Sequence, residues 1–281
     1  MTRTFILLSV ITGLLVGCSP LEILNATVDQ NGYSSSLNRV YGNDDRQRLD
    51  VHVPHDVSDN TDVVIFYYGG RWQYGSKDEY AFVVDALTSK GLVTVIPDYR
   101  LYPDVDWHEF VRDGAHAYDW VYRNIARFKG NPQRIFIMGH SAGAHISAMV
   151  AVNEALLKQG IKRPCGFMGL AGPYDFLPID QADVRRVFSS AHDLQVTQPI
   201  TFVNAGDPAM LLMHGKDDTI VKPGNSTRLA ERIRQSGGHV EVKLYENTDH
   251  IDILLSLSST FRFYTPALQD TVAFMNRVEC S

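Results

Sequence analysis

The chain has 281 residues, 44% of them apolar and 21% charged, with a formal net charge of −6. That is enough material for one sizeable core, and an acidic balance without a run of Lys and Arg argues against nucleic-acid or anionic-surface partners, which need a concentrated basic face. Three cysteines are present and no Cys or His cluster has metal-ligand spacing, so neither a metal nor another cofactor is expected.

Residues 1–17 are unlike the rest. Arg3 is their only charge, Phe5 to Gly17 is apolar, and the run is shorter than the roughly 20 residues that cross a bilayer, so it reads as an export signal. Leu15-Val-Gly-Cys18 resembles the lipobox of bacterial lipoproteins. That resemblance implies cleavage before Cys18, lipidation of its thiol and a lipid-anchored cell-envelope location, and Ser19 after it implies the outer membrane, facing the periplasm. An ordinary export signal with an incidental cysteine is the alternative. Residues 18–36 are polar, end in Ser34-Ser-Ser36 and read as a tether. No further linker, repeat or low-complexity block follows, so residues 37–281 are expected to form one domain.

Within it, short β-branched or apolar runs lie at 49–53, 63–67, 92–96, 135–138, 166–170, 210–213 and 240–245. Helical periodicity lies between several of them, at 80–90, 110–125, 142–157 and 226–235; the last follows Asn225-Ser-Thr, a good N-cap cluster, and stops before Gly237-Gly238. Buried strands alternating with crossover helices predict an α/β fold, a mostly parallel sheet with helices on both faces. Sites in such sheets lie beyond the carboxyl ends of the strands.

Ile135-Phe-Ile-Met-Gly-His-Ser-Ala-Gly143 is a strand running into G-x-S-x-G and then a small-residue helix, the strand-turn-helix setting of a nucleophile elbow centred on Ser141. The glycines on either side allow the strand and helix backbones to approach closely. A serine hydroxyl needs a base to take its proton, and in such a fold acid and histidine follow the serine in that order. His239 opens a strand, whereas His250 follows that strand by the short polar loop Glu246 to Asp249, so His250 is the candidate base. The acid is one of two neighbours, Asp217 or Asp218, in His214-Gly-Lys-Asp-Asp-Thr-Ile-Val221.

With these motifs the chain resembles the α/β-hydrolase superfamily, in its carboxylesterase branch related to hormone-sensitive lipase and to the BD-FAE-like (bacterial feruloyl-esterase-like) domains, over about residues 37–278. Besides the elbow, the resemblance rests on Tyr68-Gly-Gly-Arg-Trp72 as a form of H-G-G-x-W, on Pro97-Asp-Tyr-Arg-Leu-Tyr-Pro103 and on Gly172-Pro-Tyr-Asp175. It implies Asp218 as the orienting carboxylate, with Asp217 solvated and His214 a turn-packing residue. It implies backbone N–H donors at Gly70, Arg71 and Ala142 for an oxyanion, and structural roles for Asp98 and Arg100. Tyr68, Trp72, His140 and Tyr174 are the candidate pocket residues. Two departures stand out: Tyr68 replaces the usual His, and Arg71 puts a long cation at the expected pocket rim. Only a small partial cap fits between Asp175 and Asp207.

The resulting expectation is a serine carboxylester hydrolase acting on short-chain or aromatic acyl esters, a small-molecule substrate class. The alternatives are the same triad on an amide, formamide, thioester or polysaccharide acetyl group, and a non-catalytic lipoprotein that binds a ligand. Cys165 and Cys280 either pair or remain free thiols.

Overall fold

The computed structural model describes residues 24, 25, 28 and 30–280. The leader at 1–17 and the lipidation site at Cys18 lie outside the described residues. Eight strands form one sheet: β1 (Tyr33–Val40), β2 (Arg48–Pro54), β3 (Thr61–Tyr67), β4 (Val93–Pro97), β5 (Gly130–His140), β6 (Gly166–Leu170), β7 (Ala209–Gly215) and β8 (Val240–Tyr245). Their spatial order is β1-β2-β4-β3-β5-β6-β7-β8. The pairs β1–β2 and β2–β4 are antiparallel and every other pair is parallel.

Every residue of β4 and β6 is buried, as is Val63 to Tyr67 of β3, so side chains on both faces of the sheet are covered. This is why these strands read as continuous apolar runs. The covering helices are α1 (Ala81–Thr88), α2 (Trp107–Asn124), α3 (Ala142–Val152), α4 (Ala182–Val187), α5 (Gly224–Gln235), α6 (Asp252–Leu255) and α7 (Ala267–Arg277). After β3 the chain goes to β4 on one side and then to β5 on the other. The carboxyl ends of β3 and β5 therefore flank a topological switch point, where a crevice opens.

Three expectations need correction. Tyr33 to Ser36, assigned to the tether, begins β1, whose burial pattern is almost wholly exposed; a polar edge strand has no apolar face to mark it. α3 stops at Val152 rather than Leu157, because Asn153 leaves the helical region and a separate 3₁₀ turn follows at Glu154–Leu156. Asn225 does not cap α5, which starts one residue earlier; its Oδ1 instead accepts from the Tyr174 and Asp175 N–H groups at 3.0 and 2.9 Å. Cys165 and Cys280 are disulfide-bonded, with Cα atoms 4.9 Å apart, so the end of the chain is tied to the residue before β6.

Candidate active site

β5 runs directly into Ser141, which takes φ 54° and ψ −123° before α3 begins at Ala142. Such a conformation persists only where its surroundings over-determine it, and here the packing is extreme. A Cβ on Gly143 would overlap the carbonyl oxygens of Tyr67 and Tyr68 at the end of β3, and one on Gly139 would meet Ser147 Oγ and the carbonyl carbon of Gly143 at 2.5 Å. The Ser141 N–H is used by Leu170 O at 3.0 Å, locking the turn to β6. The N–H of Ala142 opens α3, so it has no intrahelical acceptor and sits at the positive end of the helix dipole.

Loops after β7 and β8 bring two more side chains to the serine. His250 Nε2 lies 2.9 Å from Ser141 Oγ, and its Nδ1 lies 2.8 Å from Asp218 Oδ2. Ser141, Asp218 and His250 are all buried, at 9%, 3% and 5% exposure. Asp218 Oδ1 accepts from the N–H groups of Ile220 and Val221, each at 2.9 Å, and Oδ2 lies 3.2 Å from His214 Nε2. Burial alone would raise this carboxyl, but the hydrogen bonds from His214 and His250, the nearby His250 ring and the Val221 N–H outweigh it and hold the pKa well below the usual range. An ionised carboxylate only accepts, so His250 carries its proton on Nδ1 and Nε2 is left to accept from Ser141. Asp217 is exposed, one residue away and outside this network.

His214 does more than pack a turn. Its Nε2 also reaches Val221 O at 2.7 Å, and a carbonyl only accepts, so Nε2 bears the proton and Nδ1 is free to accept from Ser226 Oγ at 2.8 Å. The proton that His214 shares with Asp218 fixes the carboxylate from a second side. The pattern H-G-x-x-D places this histidine four residues before the acid; sequence reading saw the spacing but not the contact.

The loop after β3 has φ 128° at Gly70, 52° at Arg71 and 62° at Trp72. Gly70 is required twice over, by its φ and because a Cβ there would overlap Tyr74 O. The Gly70 carbonyl accepts from Gln73 and Tyr74, whereas the N–H groups of Gly70 and Arg71 have no acceptor among the described residues. Beneath the loop, Tyr68 is fully buried. Its hydroxyl donates to Asp98 Oδ1 at 2.7 Å and accepts from Arg46 at 3.0 Å, while Tyr99 Oη donates to Tyr68 O at 2.9 Å. Asp98 also accepts the Lys77 N–H at 2.8 Å, so it bonds loop backbone. Arg100 does not; it pairs with Asp113 at 2.8 Å and with Glu109 at 2.8 Å.

The cleft above Ser141 has a volume of about 280 Å³. Arg71 and Trp72 form one side, Phe176 to Gln181 and Val184 of the cap another, and Thr219 to Lys222 with Asn225 and Arg228 the third. Of the four residues expected in the pocket, Trp72 alone lines it. Tyr68 and Tyr174 are fully buried and His140 is 3% exposed, all behind the cleft wall, because each ring is drawn into the packing of the strand end that carries it. His140 Nε2 donates to His250 O at 2.9 Å, and burial, with the neighbouring His250, lowers its pKa to about 3. The Arg71 side chain is not a free cation at the rim: Nε donates to Asp183 Oδ2 at 2.8 Å and the guanidinium also reaches Gln181 Oε1 at 2.8 Å. Trp72 Nε1 donates to His145 Nδ1 at 3.2 Å, and His145 Nε2 donates to Thr197 O at 2.8 Å. His145, Thr197, Gln181 and Asp183 carry no sequence motif; only the position of His145, one helical turn after Ser141, could have flagged it. Among the described residues no group of His, Cys, Asp and Glu is placed to hold a metal ion.

Sheet order, elbow and the Ser141–His250–Asp218 alignment define an α/β-hydrolase fold. Two solved structures share it: a truncated carbohydrate esterase from gut microbiota, with a TM-score of 0.76, 21% identity and coverage of 88% of this chain and 97% of that one, and a propionate-bound esterase from Thermogutta terrifontis, with a TM-score of 0.72, 21% identity and coverage of 89% and 95%. More specifically, the chain belongs to the BD-FAE family, whose model matches residues 49–233. Among curated proteins it is similar to a probable isoprenylcysteine alpha-carbonyl methylesterase from Oryza sativa subsp. japonica, 29% identical over 252 residues; the match takes in 79% of this chain and 59% of the longer relative.

Proposed function

We propose that this chain is a serine carboxylester hydrolase in which Ser141 is the nucleophile, His250 the general base and Asp218 the residue that orients it. The observation that carries the reading is the continuous hydrogen-bond line Ser141 Oγ–His250 Nε2–His250 Nδ1–Asp218, opening on a cleft of small-ligand size. As Ser141 Oγ attacks the ester carbonyl carbon, its proton passes to His250 Nε2, and Asp218 stabilises the imidazolium. The carbonyl oxygen becomes an oxyanion, met by the N–H groups of Ala142, Gly70 and Arg71, each donor being worth roughly 3 kcal/mol in such sites. Collapse breaks the ester C–O bond, and His250 returns the proton to the departing alcohol. Water then attacks the acyl-enzyme by the same route, with His250 taking its proton, and the acid leaves as Ser141 is restored. A cleft of about 280 Å³ favours short-chain or aromatic acyl groups.

Labelling by a fluorophosphonate and hydrolysis of p-nitrophenyl esters of increasing chain length test this, beside Ser141→Ala. Labelling of the wild type with turnover falling as the acyl chain lengthens is expected. No labelling would sink the assignment, and labelling with turnover only of amides or thioesters would move it to another acyl bond. For the membrane, we infer lipid anchoring through Cys18. The lipobox-like Leu15 to Cys18 supports this reading, and Cys18→Ser is expected to move the protein from the membrane to the soluble fraction.

A further inference from the structure

We propose that the face carrying the active-site cleft is the face turned to a neutral lipid surface, so that the ester reaches Ser141 from a bilayer rather than from bulk water. The proposal rests on the esterase and anchoring readings above and adds an orientation and a substrate source to them.

The first observation is where the exposed apolar side chains lie. Nine large ones are exposed among the described residues. Five of these, Tyr74, Ile220, Ile251, Phe263 and Tyr264, stand on segments at the carboxyl ends of β3, β7 and β8, the end of the sheet where Ser141 sits. The placement of Phe263 and Tyr264 follows from α7: its C-terminal end is held near the start of β6 by Cys280–Cys165, while Tyr245 at the carboxyl end of β8 bonds Asp270 in its first turn at 2.8 Å. The segment just before α7 is therefore on the cleft side. Phe263 is 76% exposed, and its ring lies against Tyr264, which stacks on Phe261, with centroids 4.6 and 5.8 Å apart. Singly scattered apolar residues need no explanation. Aromatic rings gathered on one end of a molecule do, and an interface between water and hydrocarbon is where such rings are most stable.

The second observation is where the chain enters the fold. Asn25 is bonded to the start of α1, with Oδ1 accepting from Phe82 N–H at 3.3 Å and Nδ2 donating to Asp78 O at 3.2 Å. α1 leads from the loop after β3 toward the start of β4, so its N-terminus is on the cleft end of the sheet. Five residues separate Cys18 from Leu24. Even fully extended, that stretch carries the Cys18 thiol no more than about 20 Å away. An acyl chain on Cys18 thus holds the cleft end, not the opposite end, within reach of the bilayer. Asp217 and Asp249 stand exposed on these loops beside the exposed Lys216 and Lys222, so the face has no one-sided cluster of positive charge, which favours neutral over anionic headgroups.

The test uses the full acylated chain, in which Cys165 and Cys280 are paired, so that Phe263→Cys or Asp59→Cys adds one labelling site; Asp59 lies in the exposed turn between β2 and β3, at the opposite end of the sheet. On phosphatidylcholine vesicles an environment-sensitive fluorophore at 263 is expected to brighten several-fold and to be quenched by nitroxide-bearing acyl chains, and one at 59 to do neither. A label at 263 that stays in water, or one at 59 that enters lipid, overturns the proposal, as does a second label on a free Cys18. Replacing Phe263 and Tyr264 together by Ser is expected to lower turnover of a vesicle-dissolved ester by about tenfold, the order expected for withdrawing two rings from an interface, and to leave turnover of soluble p-nitrophenyl acetate unchanged. Equal effects on both substrates overturn it, and so does sedimentation showing that the two rings join copies of the chain instead. Loss of esterase turnover is read separately, with Ser141, and does not affect the labels.

Discussion

Lowering the pH from 7 to 5 is expected to destabilise this protein through three buried histidines. Burial depresses the pKa of His140 to about 3 and those of His145 and His52 to about 4, and each is less than a tenth exposed. In the unfolded chain each returns to about 6.5. Below that value the unfolded state binds protons that the folded state refuses, so stability falls as pH falls, from about pH 6.5 down to the folded values of about 3 to 4. At pH 5 each histidine lies about 1.5 units below its unfolded pKa, which at 1.36 kcal/mol per unit is about 2 kcal/mol, and the three together contribute about 6 kcal/mol. Urea unfolding at the two pH values measures the sum. His145→Gln isolates one term, because only the difference between pH 7 and pH 5 within the variant is read, and any loss from repacking cancels; that difference should shrink by about 2 kcal/mol. Stability that is flat from pH 7 to 5, or a His145→Gln variant with the wild-type slope, would refute the reasoning.

Asp218→Asn is expected to lower kcat by about 10⁴-fold, since the amide no longer selects the Nδ1–H tautomer of His250, while Asp217→Asn should turn over within a factor of two of wild type; steady-state kinetics on a p-nitrophenyl ester decides, and the reverse ranking would reassign the acid. Gly143→Ala forces a methyl into the carbonyls of Tyr67 and Tyr68, a backbone clash no rotamer relieves, and should cost about 3 kcal/mol in urea unfolding. Cys165→Ser opens a covalent loop of sequence separation 115 and should cost about 4 kcal/mol by the same measurement, with no change in a wild type already reduced.

What could be read in advance depended on whether a residue's neighbours were local. The elbow was legible because its chemistry sits in five consecutive residues that need a strand before and a helix after. His250 was legible from chain order and the loop that precedes it. The strands of the parallel core appear as apolar runs because both faces are buried, whereas β1, polar along nearly its whole length, has no such signal. Contacts between distant segments were the blind spot. Nothing adjacent to Tyr68 indicates that Arg46 and Asp98 hold its hydroxyl inside the protein, and nothing adjacent to Arg71 indicates that Asp183, 112 residues away, takes its guanidinium. Tyr68, expected in the cleft, therefore lies behind its wall, whereas Arg71 does line the cleft but as one half of an ion pair.

Those distant contacts explain how the loop after β3 keeps its shape. Three successive residues have positive φ, and the two that are not glycine, Arg71 and Trp72, each cost of order 1 kcal/mol or more, so a chain segment free in water would relax. From below, Tyr68, Tyr99, Asp98 and Arg46 fix the backbone at its first residue. From above, Arg71 is held by Gln181 and Asp183, and Trp72 is linked through His145 to Thr197. The cap therefore does two things at once: its apolar side chains line the cleft, and its polar groups hold the side chains of Arg71, whose N–H has no acceptor among the described residues, and of Trp72 beside it. A change made in residues 181–197 to widen the cleft would also loosen the hold on Arg71, so under the proposed function cleft width and the placing of the Arg71 N–H are expected to change together.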